Sequence, residues 1–471
     1  MQANTAATNN VMMMIAAIQA SNPNMMHSPE LAPAARMASL GSDGGMKVCR
    51  GVNASAMPPR AGLGPSHGWK VSRIRPLSID GGRPRIGTMA TEVVSSPLLT
   101  STRHESLLLA PYAMRSVDSR GRKHPEAEHP YRGPFQRDRD RILHCSAFRR
   151  LSGKMQVFTG DMGDYHRTRL THTHEVASIA RTMGRALRLN EDLIEALALF
   201  HDIGHPPYGH AGEDALDELL RDFGGFSHNR NALTIAEELE GRYPNFSGLN
   251  LTFEVLEGQQ TRVLKEPIPD PMPDDYRGPL LEVQIVEAAD SMTYDAHDAD
   301  DAVKLGLVSL GELQENTLVR EAVQHVHERY TNVRGDVLRK AVVHELIDRQ
   351  VSDVLHQTSE RLAACRPPSA AAARRLDWRV GCSPELCELK EELETFLYDR
   401  VYRHPKLIAM RAEAQQRIRL MYQGYLEQFD LLPERHRRRA DRIGPQRAVG
   451  DYLAGMTDRF CEQMYDLHFA K

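Results

Sequence analysis

The stretch FHDIGHPPYGHAGE, running from Phe200 to Glu213, holds three histidines, an aspartate and a glutamate in fourteen positions. An adjacent His201-Asp202 pair at the end of an apolar helix can aim one imidazole and one carboxylate at a single ion. Neutral imidazole suits Mn, Fe, Zn or Ni, and a carboxylate extends the choice to Mg or Mn. RTRLTHTHEV offers a third ligand, His172 or His174, and Asp290 is a carboxylate on an otherwise apolar helical stretch. The set His172, His201, Asp202 and Asp290 is a mixed N/O site with room for water, as a catalytic metal needs, whereas a structural site is closed. A single His-Asp dipeptide carries little weight in a chain with 21 histidines. The order His, then His-Asp, then an aspartate inside a buried helix is far more restrictive.

The letters HDIGH also approach the HExxH zinc-protease pattern, with Asp in place of Glu. That pattern needs a continuous helix, so that histidines at i and i+4 share a face. His205 follows Gly204 and precedes Pro206. A residue before proline is pushed out of the helical region, which argues against the protease reading. His144 is read as a capping or satisfied histidine.

Helices must carry these groups. In HTHEVASIARTMGRALRL, Val176, Ile179, Ala180, Met183 and Leu187 keep helical spacing. NEDLIEALALFHD offers Asn190 as an N-cap and sets Leu193, Ile194, Leu197 and Ala198 on one face, so that the helix 190–202 ends in His201 and Asp202. Gly204 and Pro206-Pro207 then break it. LLEVQIVEAADSMTYDAHDADDA places Leu281, Ile285, Ala288 and Met292 on one stripe, and Asp290, Tyr294 and Asp298 on another at spacing four. Pro267, Pro269, Pro271 and Pro273 mark a surface loop, and RPPSAAAARR reads as a linker before further helices. No alternating run is long enough for a major sheet, so the expected fold class is all-α. The expected regions are an N-terminal extension, 1–95, a core, 96–365, and a C-terminal helical region, 366–471.

The formal charge of −4 gives no global basic field for nucleic acid. Six cysteines without a CxxC pair are no disulfide framework, and a reducing, cytoplasmic compartment is expected. The run VMMMIAAI is too short to span a membrane and lacks a preceding basic residue, so neither membrane nor signal peptide is expected. Residues 1–95 show no sustained period and read as disordered, with Met89 as an alternative start.

The segments LLLAPYAMRSVDSRGRKHPE, YRGPFQRDRDRILHCSAFRRLSGKMQVF, DYHRTRLTHTHEVASIAR, ALALFHDIGHPPYGHAGEDAL, GLNLTFEVLEG, EAADSMTYDAHDADDA and FLYDRVYRHP follow one another over most of 105–410. Together they resemble the HD-domain phosphohydrolases, and more closely the bacterial dGTP triphosphohydrolase-like proteins. The resemblance implies an HD-domain helical phosphohydrolase fold with additional C-terminal helices. It implies a divalent metal ion (Mg, Mn, Co, Fe or Ni) on His172, His201, Asp202 and Asp290. It also implies cleavage of deoxynucleoside triphosphates, dGTP or mixed, to a deoxynucleoside and inorganic triphosphate. His210 and Glu213 match the family's catalytic pair, and His228 in FSHNRNA matches a later histidine. A homo-oligomer with dNTP effector sites at its interfaces is implied too. One departure stands out: the family usually has a large side chain, often Gln or Glu, after RRL, where this chain has Ser152-Gly153. If that position reads sugar or base, selectivity differs.

The chemistry of the residues agrees. Hydrolysis at phosphorus needs a positioned water, stabilised equatorial oxygens and a proton for the leaving oxygen. Histidine suits proton transfer near neutral pH, which fits His210. Glu213, three residues on, can fix the tautomer of His210; its bland reading is an exposed glutamate in a helix first turn. Guanidinium and ammonium groups bind phosphate, and Arg169 and Lys154 are favoured as ligand contacts. Arg137, Arg139 and Arg141 in RDRDR are as well explained by surface pairing with acids. Tyr294 and Asp298 can contact the sugar or metal-bound water, with core packing the alternative for Tyr294. The basic run RHRRRADR, 435–442, has no interleaved aromatics for base stacking. It reads as a solvated face before it reads as a nucleic-acid or phosphate-effector site. Two rivals remain beside a dNTP triphosphohydrolase: an HD nucleotidase or phosphodiesterase acting on monophosphates or cyclic nucleotides, and a non-catalytic nucleotide-sensing scaffold. A scaffold has no need of a proton-transfer pair.

Overall fold

The computed structural model describes residues 100–156, 167–265, 268 and 272–470. Residues 1–95 with Met89, and Pro267, Pro269 and Pro271 of the proline loop, lie outside these. Fifteen helices of seven or more residues order the described chain. They are α1 (Ser101–Leu108), α2 (Pro134–Leu143), α3 (Arg169–Ala186), α4 (Glu191–Phe200), α5 (Gly209–Leu220), α6 (His228–Thr234), α7 (Phe253–Leu264) and α8 (Leu281–Lys304). There follow α9 (Thr317–Arg329), α10 (Gly335–Cys365), α11 (Pro384–Phe396), α12 (Pro405–Glu427), α13 (Glu434–Ile443), α14 (Pro445–Ala454) and α15 (Asp458–His468). Among the described residues, β structure is limited to isolated bridges such as Arg122 with Thr252. The all-α expectation holds.

Local signals start the helices that matter. The Thr168 hydroxyl accepts from Thr171 N, and Thr171 reciprocates at the Thr168 N–H, closing a capping box on α3. Asn190 caps α4 by accepting from Leu193 N at 3.2 Å, as its position predicts. Such caps contribute about 1 kcal/mol each. Helix α4 is buried on nearly every side: Leu193, Ile194 and 196–200 are all core residues. It packs against α2, α3, α7 and α8, and an all-round apolar helix belongs at the centre of a domain. His201 and Asp202 therefore follow directly on a helix buried in the core.

Helix α8 serves two cores. Its first half (Leu281, Ile285, Val286, Ala289, Met292) joins α3 and α4. Its second half (Ala296, Ala299, Ala302) joins α9, α10 and α11. A third cluster fits Ala215, Leu216 and Leu220 of α5 between α12, α14 and α15. The C-terminal helices thus lie directly over the segment that follows the His-Asp pair. No helix among the described residues is long and apolar enough to cross a membrane.

Three sequence expectations are corrected. RPPSAAAARR is no free linker: Ala370–Ala373 form a helical turn, Ala373 enters the first core, and Arg374 Nε donates to the Gly278 carbonyl at 2.6 Å. Small alanines read as low complexity also pack closely. Cys382 and Cys387 form a disulfide across the start of α11, where the turn at Ser383 brings their Cα atoms to 5.7 Å. The helix 190–202 ends earlier than read, at Phe200, with His201 as C-cap and Asp202 in the turn beyond.

Candidate active site

The His201 ring is fixed from behind. Its Nδ1–H donates to the Ala198 carbonyl at 2.6 Å, which leaves Nε2 as a lone pair. That Nε2 is buried and has no hydrogen-bond partner. It faces Asp290 Oδ1 at 3.6 Å and Asp202 Oδ1 at 3.7 Å. From the first turn of α3, His172 Nε2 reaches the same Asp290 oxygen at 3.1 Å. His172 is 1% exposed, whereas His174 is exposed and turned edge-on to Phe148; the choice between them falls to His172. Burial opposes ionisation of Asp290, but His201, Arg262 and His172 outweigh it and hold the carboxyl far below the usual range. Burial also holds the His201 imidazole neutral against the pull of Asp290. The lone pair of His201, the His172 ring and ionised carboxylates converging on one point are the kind of donor set a divalent cation takes. Asp290 keeps 23% side-chain exposure, so the point is open on one side.

Asp202 looks two ways. Its Oδ2 accepts from Arg169 Nη1 at 2.9 Å, and its Oδ1 lies 3.1 Å from His205 Nε2. Burial raises its pKa, yet Arg169 and His205 reverse the balance and hold it well below the usual range. The His205 pKa is held down as well, first by burial and then by Arg169 and His228, so the ring stays uncharged. Its Nε2–H donates to Asp202, and its Nδ1 is buried without a partner. The break after His201 that disfavoured the protease reading is present: residues 201–204 form turns rather than helix. Gly204 permits it, since a Cβ there would meet the His228 carbonyl at 2.0 Å.

Beyond that loop lies a second group, His205, His210, Glu213 and His228, whose donor atoms fall within 4.8 Å of one another. Glu213 organises it. One carboxylate oxygen accepts from His228 N and Nδ1, both at 2.8 Å. The other accepts from His210 Nδ1 at 3.1 Å, across one turn of α5. Burial opposes the Glu213 charge, but His228 and His210 hold its carboxyl well below the usual range. A carboxylate accepts only, so both histidines present N–H to it and turn Nε2 outward. His210 has 52% side-chain exposure, which leaves that nitrogen accessible.

The remaining predicted residues are placed as follows. Arg169 is buried and binds Asp202 and the Gln156 carbonyl, at 2.9 and 3.0 Å. Lys154 is buried too, its ammonium donating to the carbonyls of His205 at 2.5 Å and Ala454 at 3.1 Å. Burial lowers its pKa to about 7. Both cations sit beneath the His-Asp loop. Tyr294 and Asp298 face Tyr402, whose hydroxyl donates to Asp298; burial, then Asp301 and Asp295, raise the Asp298 pKa to about 7. Gly153 lies against Thr457, where a Cβ would come 2.9 Å from Cγ2. The RDRDR arginines are structural: Arg137 and Arg141 bind Glu126, and Arg139 binds Glu195. His144 is the C-cap of α2.

Sequence reasoning missed three members. His205 was weighed only as a protease ligand. Arg262 of α7 donates to Asp290 Oδ2 at 2.5 Å. Tyr402 lies in the π-helical stretch Leu397–Tyr402 that follows α11. The quoted segment FLYDRVYRHP contained Tyr402 without giving it a role.

The HD domain family matches residues 169–295, the span from the capped start of α3 to the middle of α8. A phosphohydrolase-associated domain matches 380–467. The deoxyguanosinetriphosphate triphosphohydrolase-like protein of Geobacter metallireducens is 41% identical over 360 residues, covering 75% of this chain and 92% of that protein. A protein of the same name from Leptospira interrogans is 38% identical over 373 residues, covering 77% and 96%. One from Rhizobium meliloti is 41% identical over 375 residues, covering 74% and 92%. With a buried His-Asp pair, a distant aspartate and an imidazole–carboxylate cluster set on an all-α frame, this phosphohydrolase belongs to the deoxyguanosinetriphosphate triphosphohydrolase-like family.

Proposed function

We propose that the protein hydrolyses deoxynucleoside triphosphates, dGTP or a mixture, to a deoxynucleoside and inorganic triphosphate. The observation that carries this reading is the unpartnered His201 Nε2 converging with His172 and Asp290 beside the Glu213-organised histidines. A divalent cation (Mg, Mn, Co, Fe or Ni) on His172, His201, Asp202 and Asp290 would supply polarisation of a phosphoryl oxygen and activation of water. Arg169 positions Asp202, and Lys154 holds the His205 carbonyl beneath it. When water attacks the α-phosphorus, the bond to the deoxyribose 5′ oxygen breaks and that oxygen needs a proton. His210 is the group to move it: accessible at Nε2, its tautomer held by Glu213, with His228 sharing the same carboxylate. Tyr294, Asp298 and Tyr402 form a polar wall suited to the sugar. Homo-oligomer assembly and a dNTP effector belong to the same reading.

Incubating the purified protein with dGTP and a divalent cation, then resolving the anions by ion-exchange chromatography, tests it. Inorganic triphosphate is the expected product. Phosphate or pyrophosphate would assign cleavage to another bond, and no product would leave only a sensing role.

A further inference from the structure

The corner between α14 and α15 reaches the loop that follows the His-Asp pair. Asp458, the first residue of α15, is buried. Its Oδ1 accepts from Tyr208 N at 2.9 Å, and its Oδ2 accepts from Met155 N at 2.8 Å. The two amides are far apart in sequence, and each leads to a different part of the active site.

Tyr208 is the N-cap of α5, the helix that carries His210 and Glu213. It is bulky yet sits in the left-handed region at φ 63°, and Gly209 follows at φ 56°. A side chain is disfavoured there, and such a joint persists only where its surroundings hold it. Pro206 and Pro207 have no N–H to offer, so the Tyr208 amide is the first backbone donor after His205, and Asp458 takes it. The joint is tightly packed: a Cβ on Gly209 would come 2.9 Å from Arg169 Nη2, and one on Gly212 would meet the Pro207 carbonyl at 2.0 Å.

Met155 lies between the two residues that seat Arg169. The Lys154 carbonyl accepts from Arg169 N at 2.9 Å, and the Gln156 carbonyl accepts from Arg169 Nη2 at 3.0 Å. Arg169 in turn binds Asp202. Beside this, Lys154 bridges the carbonyls of His205 and Ala454, a second tie between the same corner and the same loop. We infer that Asp458 is a positioning residue: by holding the Tyr208 and Met155 amides on one carboxylate, it sets where His210 and Glu213 stand relative to Asp202. It acts through the backbone, and the inference rests on the reading of His210 as the proton-transfer group. The demand on geometry is strict, because a misplacement of about 1 Å can cost on the order of 100-fold in rate.

Asp458→Asn keeps the shape but puts an amide nitrogen where one acceptor stood, so one of the two bonds is lost; Asp458→Ala loses both. Melting curves establish that each variant folds, and the isosteric Asn variant carries the test if the Ala variant does not. Hydrogen exchange of the full chain, read by mass spectrometry, is expected to quicken across 204–214 and to stay unchanged across α4. With dGTP and a divalent cation, kcat is expected to fall roughly tenfold for Asp458→Asn and roughly 100-fold for Asp458→Ala, with KM and metal content close to wild type. A residue that only supports the fold lowers the melting temperature without that split. Combining Asp458→Asn with His210→Ala should cost little beyond His210→Ala alone, since a group that acts through His210 then has nothing left to position. Unchanged exchange in a folded Asn variant overturns the inference. So does an unchanged kcat, or losses that simply multiply in the double variant. If the wild type cleaves no deoxynucleoside triphosphate, the proposed function falls, and the exchange measurement alone decides whether Asp458 holds the joint.

Discussion

His205 and His228 lie face to face, ring centroids 3.8 Å apart and planes 13° from parallel. On its other edge His205 donates to Asp202. One uncharged ring thus connects the ion-ligand candidates to the Glu213 cluster. In His205→Phe the stack survives and the bond to Asp202 is lost. We expect kcat to fall roughly tenfold, the order seen when a partner of a metal-binding carboxylate or imidazole is removed, with metal content reduced and KM nearly unchanged. Wild-type kcat and metal content in that variant would show that the ring only fills space.

Asp202→Ala should empty the site. Turnover is expected to fall by more than about 100-fold and metal content with it, because a lost ligand both weakens affinity and misplaces the remaining donors. Elemental analysis of the purified variant beside a rate assay checks this. Full metal content with normal rate would remove Asp202 from the assigned set.

His210→Ala should separate the two clusters. Its ring lies on α5, past the prolines, and contacts Glu213 rather than Asp290. A rate loss of about 10²- to 10⁴-fold is expected, with metal content retained and dGTP affinity close to wild type. Single-turnover hydrolysis and metal analysis on one preparation decide it; a variant that arrives without metal makes His210 a ligand.

Asp298 gives the pH dependence. Its folded pKa is raised to about 7 from the usual 3.8. Between those values the folded state keeps a proton that the unfolded chain has lost. Stability from this group is thus complete below the unfolded value and is lost as pH rises through 7. The wild type should therefore lose stability from pH 5 to pH 8, by at most about 3 kcal/mol from this site. Asp298→Asn, which mimics the neutral acid, should lose less. Melting temperatures of both proteins at the two pH values test the sign; parallel curves would show that Asp298 is ionised throughout.

Periodicity made α3, α4 and α8 readable because each buries a stripe with helical spacing, and Asn190 marked a boundary because a cap is a local bond. The order His172, His201, Asp202, Asp290 was visible because its residue types are rare on apolar helices. What stayed hidden was long-range pairing. Nothing near Arg169 shows that its charge meets Asp202, 33 residues on, or that Lys154 ends on the carbonyls of His205 and Ala454. Arg262 reads as a solvated residue of α7 until α8 packs beside it and presents Asp290. Tyr402 meets Asp298 across 104 residues.

That last contact has a consequence for how such proteins can diverge. Asp290 and Asp298 stand on one helix, roughly 12 Å apart along its axis, so the two carboxylates cannot slide relative to one another. Tyr402, however, comes from a different stretch of chain and packs on that helix from outside. Exchanging residues 380–467 with those of a relative would leave His172, His201, Asp202 and Asp290 where they are and give Asp298 a new neighbour. Ligand preference could then be inherited through a graft of the C-terminal helices, provided that the grafted segment brings a hydroxyl able to meet a buried carboxyl.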